Sequence, residues 1–224
     1  MKRVSWAALA TGSALLLTGC ASGDNTNFWR EYLQILKDSA KGIFSDQGIT
    51  RDQAAAIPYA SMSYRLNGGQ ELMIVLATNT NGDLLWTSAT HIVLLTRDGR
   101  IIRTVGLPHD ISGVMPIIGN SLPAPAAVLK GAFTSTRSVD IPDIGSYSVP
   151  LSCEMMTKGR ETIFILGQSI TTLRADESCK STMLNWSFRD TYWLDPTSGI
   201  VWRSVQHLTP KGDKIETQIL RPPG

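Results

Sequence analysis

A mainly β protein is what this sequence predicts: antiparallel meander sheets forming a barrel-like or sandwich body, with one N-terminal amphipathic helix. Three observations carry that expectation. From Tyr59 onward, apolar and polar residues alternate in short runs. Turn-forming clusters such as Asn67-Gly68-Gly69, Asp98-Gly99 and Pro210-Lys211-Gly212-Asp213 join those runs. Nowhere do strand-like runs alternate with long helical ones, which disfavours an α/β cofactor fold.

The helix is expected over 28–41. Trp29, Tyr32, Leu33, Leu36 and Ala40 recur at helical spacing, followed by Ile43-Phe44. Asn27 can cap its start, with Asn25 and Thr26 as alternatives, and Gly42 can end it. Its polar face mixes Arg30, Glu31, Lys37, Asp38 and Lys41, without the basic excess of a membrane-surface helix. The apolar stripe is therefore expected on the body, with contact of Phe28 and Trp29 to a membrane as the alternative. Thr50-Arg51-Asp52-Gln53 is a capping-box pattern before a short Ala-rich turn that Pro58 stops.

Strands follow in order. Alternation over 59–66 predicts a half-buried strand, Asn67-Gly68-Gly69 a hairpin, and 71–78 the returning strand. After a turn at 79–83, residues 84–96 read as one long strand, bent or bulged. Asp98-Gly99 turns the chain into 100–107. Residues 108–130 carry Pro108, Pro116, Pro123 and Pro125 and read as an ordered insert with one short helix near 124–130. Its apolar residues, Ile111 to Leu122, are expected to pack across an open end of the sheet. Further strands are expected at 131–139, 144–151, 161–167, 169–174, 185–194, 200–208 and 214–220. Closing into a barrel, or folding over the helix, would protect the edges of such a meander.

The N-terminus reads as a signal. Lys2 and Arg3 precede an apolar run from Val4 to Leu17, which is too short and too interrupted to span a bilayer. Leu17-Thr18-Gly19-Cys20 looks like a bacterial lipobox. Residues 1–19 are thus the expected signal peptide, 20–27 a lipidated tether and 28–224 a single β-rich periplasmic domain. The Cys20 thiol would carry a diacylglycerol and its freed amine a palmitate-like acyl chain; two or more chains make a stable anchor. Ala21, rather than Asp, follows the cysteine. By the sorting rule of Gram-negative lipoproteins this directs the protein to the outer membrane, on its periplasmic face.

Without Lys2 and Arg3, the 21 basic residues fall to the same number as the 19 acidic ones. A near-neutral body with no basic cluster argues against a nucleic-acid partner. With Cys20 committed to lipid, Cys153 and Cys179 remain as an even pair in an oxidising compartment, and a disulfide between them is expected. The chain-entropy relation values the loop it closes at about 3.5 kcal/mol. Metal binding would call for further ligands nearby, and redox chemistry for a C-x-x-C spacing.

No catalytic constellation stands out, and no cofactor or metal is expected. The histidines are His91, His109 and His207. His91 and His207 lie in expected strands, and Asp110 beside His109 is badly placed to orient it. G-x-S-x-G, H-E-x-x-H and P-loop patterns are absent. The candidate carboxylates Asp83, Asp98, Asp110, Asp143, Asp190 and Asp195 mostly fall in turns, where Asp is ordinary, so no glycosidase pair is assigned. Trp86, Trp186, Tyr192, Trp193 and Trp202 lie on expected strands, with Tyr192 and Trp193 on opposite faces. Tryptophans fill cores, stack on sugars or anchor interfaces. Trp193 or Trp202 with Arg103, and Arg100 beside it, form the candidate binding group.

The stretch Gly99-Arg100-Ile101-Ile102-Arg103-Thr104-Val105-Gly106-Leu107-Pro108 carries a resemblance, together with the lipobox and the hairpin Tyr192-Trp193-Leu194-Asp195 to Ser198-Gly199-Ile200-Val201-Trp202-Arg203-Ser204-Val205-Gln206. The mature chain resembles the YjbF/GfcB family of exopolysaccharide and group 4 capsule lipoproteins. The resemblance implies a barrel-like antiparallel β protein. It also implies a non-catalytic accessory role in building, exporting or retaining surface polysaccharide, through the polysaccharide itself or through its export proteins. The alternative is a periplasmic glycan-active hydrolase or transferase.

Overall fold

The computed structural model describes residues 48–212 and 214–224. The signal peptide, Cys20, the tether and the helix expected over 28–41 lie outside the described residues. The first described element is α1 (Arg51–Ala55), and its capping box forms as expected: Thr50 Oγ1 accepts from the Gln53 amide, and Gln53 Oε1 accepts from the Thr50 amide.

Twelve antiparallel strands follow. They are β1 (Ser61–Leu66), β2 (Leu72–Thr80), β3 (Asp83–Thr87), β4 (Val93–Arg97), β5 (Arg100–Val105), β6 (Gly113–Pro116), β7 (Phe133–Ile141), β8 (Ser146–Ile165), β9 (Gln168–Ser181), β10 (Trp186–Leu194), β11 (Val201–His207) and β12 (Lys214–Arg221). They form one sheet in the order β5-β4-β3-β2-β1-β12-β11-β10-β9-β8-β7-β6. Because β1 pairs with both β2 and β12, the start and the end of the chain meet. The two outermost strands, β5 and β6, are consecutive in the chain. The Thr104 amide donates to the Ile111 carbonyl across their seam (2.9 Å). The sheet is thus a nearly closed barrel with its strands in chain order, and little edge is left to recruit another strand.

Turn chemistry sets much of this register. Asn81-Gly82, Asp98-Gly99 and Leu166-Gly167 each hold positive φ at both positions and join strands by two-residue loops. At Gly99 a side chain is excluded sterically as well, since a Cβ would lie 2.5 Å from the Val201 Cβ. The β4–β5 turn therefore presses directly on β11 through the barrel interior. Gln206 of β11 fastens it there, donating to the Gly99 carbonyl (3.0 Å) and accepting from the Ile101 amide (3.0 Å).

The main core lies inside the barrel and includes Met62, Tyr64, Ile74, Trp86, Leu94, Val139 and Ile215. A smaller core lies outside it. There Ala54 and Ile57 cover Met73 and Val75 of β2, with Leu166 and Leu220 packed alongside. Leu166 sits at the tip of the β8–β9 hairpin, which reaches back over the barrel wall. Arg51 donates to its carbonyl through Nε (3.2 Å) and Nη2 (2.9 Å), and Arg203 Nη2 donates to Phe164 O (2.9 Å).

Five expectations need correction. The single strand expected over 84–96 is two, β3 and β4. Between them Ser88 Oγ accepts from the amides of Thr90 and Ile92 and bends the chain without Gly, Pro or Asn. His91 lies in that turn at φ 65°, not in a strand. The strands expected at 144–151 and 161–167 are one 20-residue strand, β8, kinked by a bulge between Thr157 and Gly159. Likewise 169–174 extends to Ser181 as β9, so both cysteines sit within strands rather than on a loop. The insert 108–130 contains the short helix near its end, as a 3₁₀ turn at Pro125–Lys130, and also supplies β6.

Cys153 and Cys179 are directly opposed on β8 and β9, with Cα atoms 4.1 Å apart, and form a disulfide. Two outcomes follow from this architecture. Gly99→Ala, strained in φ and crowded by Val201, is expected to lower unfolding stability by about 1–3 kcal/mol in a denaturant titration; an unchanged midpoint would contradict the close approach. Reducing the disulfide is expected to cost about 2–4 kcal/mol while leaving the far-ultraviolet β signal intact, because the β8–β9 ladder continues on both sides of the bridge. Loss of that signal would show that the bridge, and not the ladder, holds the hairpin.

Candidate functional site

The barrel interior is built around a charge cluster. Glu177 of β9 is fully buried and accepts from two guanidiniums. Arg100 of β5 reaches it through Nη1 (2.6 Å) and Nη2 (3.1 Å), and Arg137 of β7 through Nη1 (2.8 Å) and Nη2 (2.9 Å). Both arginines are themselves buried, at 4 % and 5 % exposure. Arg100 also donates to Tyr192 Oη (3.2 Å), and Tyr192 donates to Gln206 Oε1 (3.3 Å). Arg137 Nη2 approaches the Cys179 sulfur (3.3 Å).

Burial alone would push the Glu177 carboxyl up; Arg100 and Arg137 overcome this and hold it at about 2. Burial likewise pushes the Tyr192 phenol up, keeping it protonated. A second buried acid, Asp190 of β10, is raised chiefly by burial. It accepts from the His207 amide (2.8 Å) and lies 3.1 Å from His207 Nδ1. The recess among these groups holds about 30 Å³, the room of one water. Both guanidiniums are bonded to Glu177, so this recess offers structural polarity, while a separate cavity of about 410 Å³ is lined by Met62, Leu84, Trp86, Thr96, Gly99 and Val201.

The larger concavity lies on the outer face of β7–β10. It measures about 960 Å³, and Ile118, Ser121 and Pro123 stand at its border. Its floor carries two rows of outward-facing side chains that cross four strands, with Ser135, Cys153, Cys179 and Phe188 in the register row between them. One row is Thr136, Ser152, Lys180 and Ser187; the next is Thr134, Glu154, Ser178 and Arg189. Adjacent strands are about 4.8 Å apart, so each row spans roughly 14 Å. Among the described residues, the Lys180 ammonium, the Arg189 guanidinium and the Glu154 carboxylate make no ion pair.

The four binding candidates read from the sequence are not brought together. Arg100 is inside the barrel, bound to Glu177, where an external polymer has no access. Arg103 is exposed on β5. Trp193 faces outward on β10, half-buried between the guanidiniums of Arg174 (6.0 Å to the ring centre) and Arg203 (5.8 Å), so cations already cover its ring. Trp202 is half-buried on β11. None of the four lines the outer groove. Asp110 serves the seam turn, accepting from Thr104 Oγ1 (2.7 Å) and from the amides of Gly106 and Leu107. Neighbouring His109 lies 3.8 Å from Asp143. Cys153, Glu177 and Cys179 converge, yet the two sulfurs are bonded to each other and are not thiolate ligands.

Glu177, Arg137, Lys180 and Arg189 were missed in the sequence. The first two sit at inward positions of strands where alternation predicts apolar residues. The available signal was the charge complementarity of Glu177 with Arg100 and Arg137. The groove residues offered only a run of small hydroxyls, which is indistinguishable from an ordinary solvated sheet face until four strands are set side by side.

Comparison with known proteins gives a consistent result. The family described as group 4 capsule polysaccharide lipoprotein gfcB, YjbF matches residues 29–220. The lipoprotein GfcB of Escherichia coli K12 is 28% identical over 212 residues, covering 93% of this chain and 95% of the relative. The lipoprotein YjbF of the same strain is 27% identical over 209 residues, covering 92% and 93%. The crystal structure of the lipoprotein YmcC from Escherichia coli K12 superposes with a TM-score of 0.68 at 26% identity, covering 84% of this chain and 96% of that one.

The charge cluster makes its own prediction. Glu177→Gln strands two buried guanidiniums and is expected to cost about 3–5 kcal/mol of stability. The folded carboxyl titrates at about 2, below its ordinary 4.5. Its contribution is therefore complete above about pH 4.5 and is lost as pH falls toward 2. Asp190 runs the opposite way: its raised value means that protonation relieves the fold as pH falls. Stability measured from pH 6 to about 2 is thus expected to fall in the native protein and to lose that limb in Glu177→Gln. A Gln variant of native stability would contradict the assignment.

Proposed function

Because the chain belongs to the YjbF family of group 4 capsule polysaccharide lipoproteins, we propose that it is a lipid-anchored accessory of capsule or exopolysaccharide assembly and export. Acyl chains on Cys20 hold it at the periplasmic face of the outer membrane, and it acts by binding rather than by catalysis. The family match over residues 29–220 carries this reading. The geometry supports the binding mode. Charges bonded to one another occupy the middle of the barrel, while an open groove of about 960 Å³ faces outward. Glu154 is the one carboxylate among the described residues that line that groove, whereas glycoside hydrolysis calls on a facing pair.

The test is genetic and chemical together. A strain lacking the protein is expected to lose surface polysaccharide, and the native gene to restore it. Cys20→Ala, which removes the acylated thiol, is expected to restore far less at equal protein level. Purified protein incubated with the host polysaccharide is expected to leave its chain length unchanged. Normal polysaccharide in the deletion strain would overturn the accessory role, and release of short oligosaccharides would replace binding with hydrolysis.

A further inference from the structure

We propose that the outer groove of β7–β10 is a binding site for a carboxylated polysaccharide, with Lys180 and Arg189 receiving its carboxylates. This rests on the accessory reading above and gives its binding site a place and a ligand class.

Three features of the groove specify the ligand. The first is the surplus of cation. Lys180 pairs in register with Ser187, and Ser178 with Arg189, so the two cations are diagonal neighbours across β9 and β10. Such positions lie about 7–8 Å apart, close enough for two long side chains to converge on one carboxylate. Glu154, diagonal to Lys180 across β8 and β9, bonds to neither cation. Two unpaired cations against one unpaired carboxylate leave the groove attractive to anions.

The second is the density of hydroxyls. Thr134, Thr136, Ser152, Ser178 and Ser187 face outward in two cross-strand rows, and none of their hydroxyls has a hydrogen-bond partner among the described residues. A hydroxyl both donates and accepts, which is the pairing that successive sugar hydroxyls need. Protein interfaces, by contrast, centre on exposed aromatic and apolar anchors that become buried; here Phe188 is packed against the barrel core, and Ile118 and Pro123 stand only at the border.

The third is shape. The floor is a trough roughly 14 Å across four strands, open to solvent, with Ile118 exposed at its border (76 %). An apolar side chain there can cover the C–H face of a sugar ring. Glu154 then discriminates as well as binds: it accepts from sugar hydroxyls and repels a carboxylate placed out of register.

The test uses the mature chain, residues 20–224, with Cys20→Ala for solubility. Oligogalacturonate is the acidic probe, maltooligosaccharide the neutral one, and titration calorimetry the readout. Saturable binding of oligogalacturonate that weakens with salt is expected, with at least tenfold weaker binding of the neutral probe. Lys180→Gln with Arg189→Gln is expected to lower acidic affinity at least tenfold. Its unfolding midpoint should be unchanged, because neither side chain holds the fold together. Glu154→Gln is expected to tighten binding. Failure of both oligogalacturonate and the host polysaccharide to bind overturns the proposal. So does binding that survives the double substitution, or that is lost instead in Trp193→Ala or Arg103→Ala. Loss of an export-protein contact in the double variant, without any glycan binding, assigns the face to a protein and also overturns it. In cells, a double variant that fully restores polysaccharide in the deletion strain sinks the groove alone and leaves the accessory role standing. Normal polysaccharide in the deletion strain sinks the accessory role whatever the groove binds.

Discussion

The structure depends on one carboxylate. Glu177 lies in the middle of β9, away from water, and is bound by guanidiniums from β5 and β7. Those strands stand on either side of the barrel seam, which the Thr104–Ile111 bond crosses. A buried carboxylate without partners would cost several kcal/mol, and a buried guanidinium without one would cost as much. The cluster therefore tolerates few arrangements. Arg100 must cross the interior to reach Glu177, which draws the β4–β5 turn onto β11, and Gly99 is required where that turn meets Val201. Tyr192 and Gln206 satisfy the remaining donors and acceptors. A hydrophobic core is permissive about register; this one is not, because a shift of one residue would turn Glu177 out to solvent and leave both arginines inside.

This constraint also bears on function. Barrels of many strands often enclose a ligand. Here the level of the charge cluster is occupied by ion pairs and a water-sized recess, and the cavity of about 410 Å³ lined by Met62, Trp86 and Val201 is smaller than the outer groove, which favours the outer surface for binding. The β8–β9 hairpin matters for that surface. It is longer than its neighbours, is held by the disulfide near the level of the charge cluster, and folds its far end over the wall onto α1. Its nearer half remains flat and open beside β7 and β10, and there the hydroxyl rows and the unpaired Lys180 and Arg189 lie side by side. One pair of strands thus contributes inward to the fold and outward to the groove, through alternate residues.

How legible this was depended on where the information resided. The Asn-Gly and Asp-Gly turns were readable because positive φ is a local demand on residue type. The capping box at Thr50 was readable for the same reason. The Ser88 turn was not, since a side-chain oxygen rather than a backbone preference makes it. The long β8 was read as two strands because residues 157–162 are exposed on both faces; a ribbon standing clear of the core has no alternation to detect. Arg100 and Arg103 look alike in sequence, two cations in one strand, yet one is a core residue and the other is on the surface. Only a partner 77 residues away separates them. The groove belongs to the same class, since its members come from four strands and acquire meaning only through register.

The account's central claim is that the charge cluster around Glu177 is structural and that recognition takes place on the outer face of β7–β10. Backbone amide shifts of the mature chain, followed by nuclear magnetic resonance during titration with an acidic oligosaccharide, test this most directly. Shifts concentrated at 134–136, 152–154, 178–180 and 187–189 are predicted, with the amides around Arg100, Tyr192 and Gln206 unmoved. Shifts centred on that interior cluster, or around Trp193 and Arg203, would contradict it.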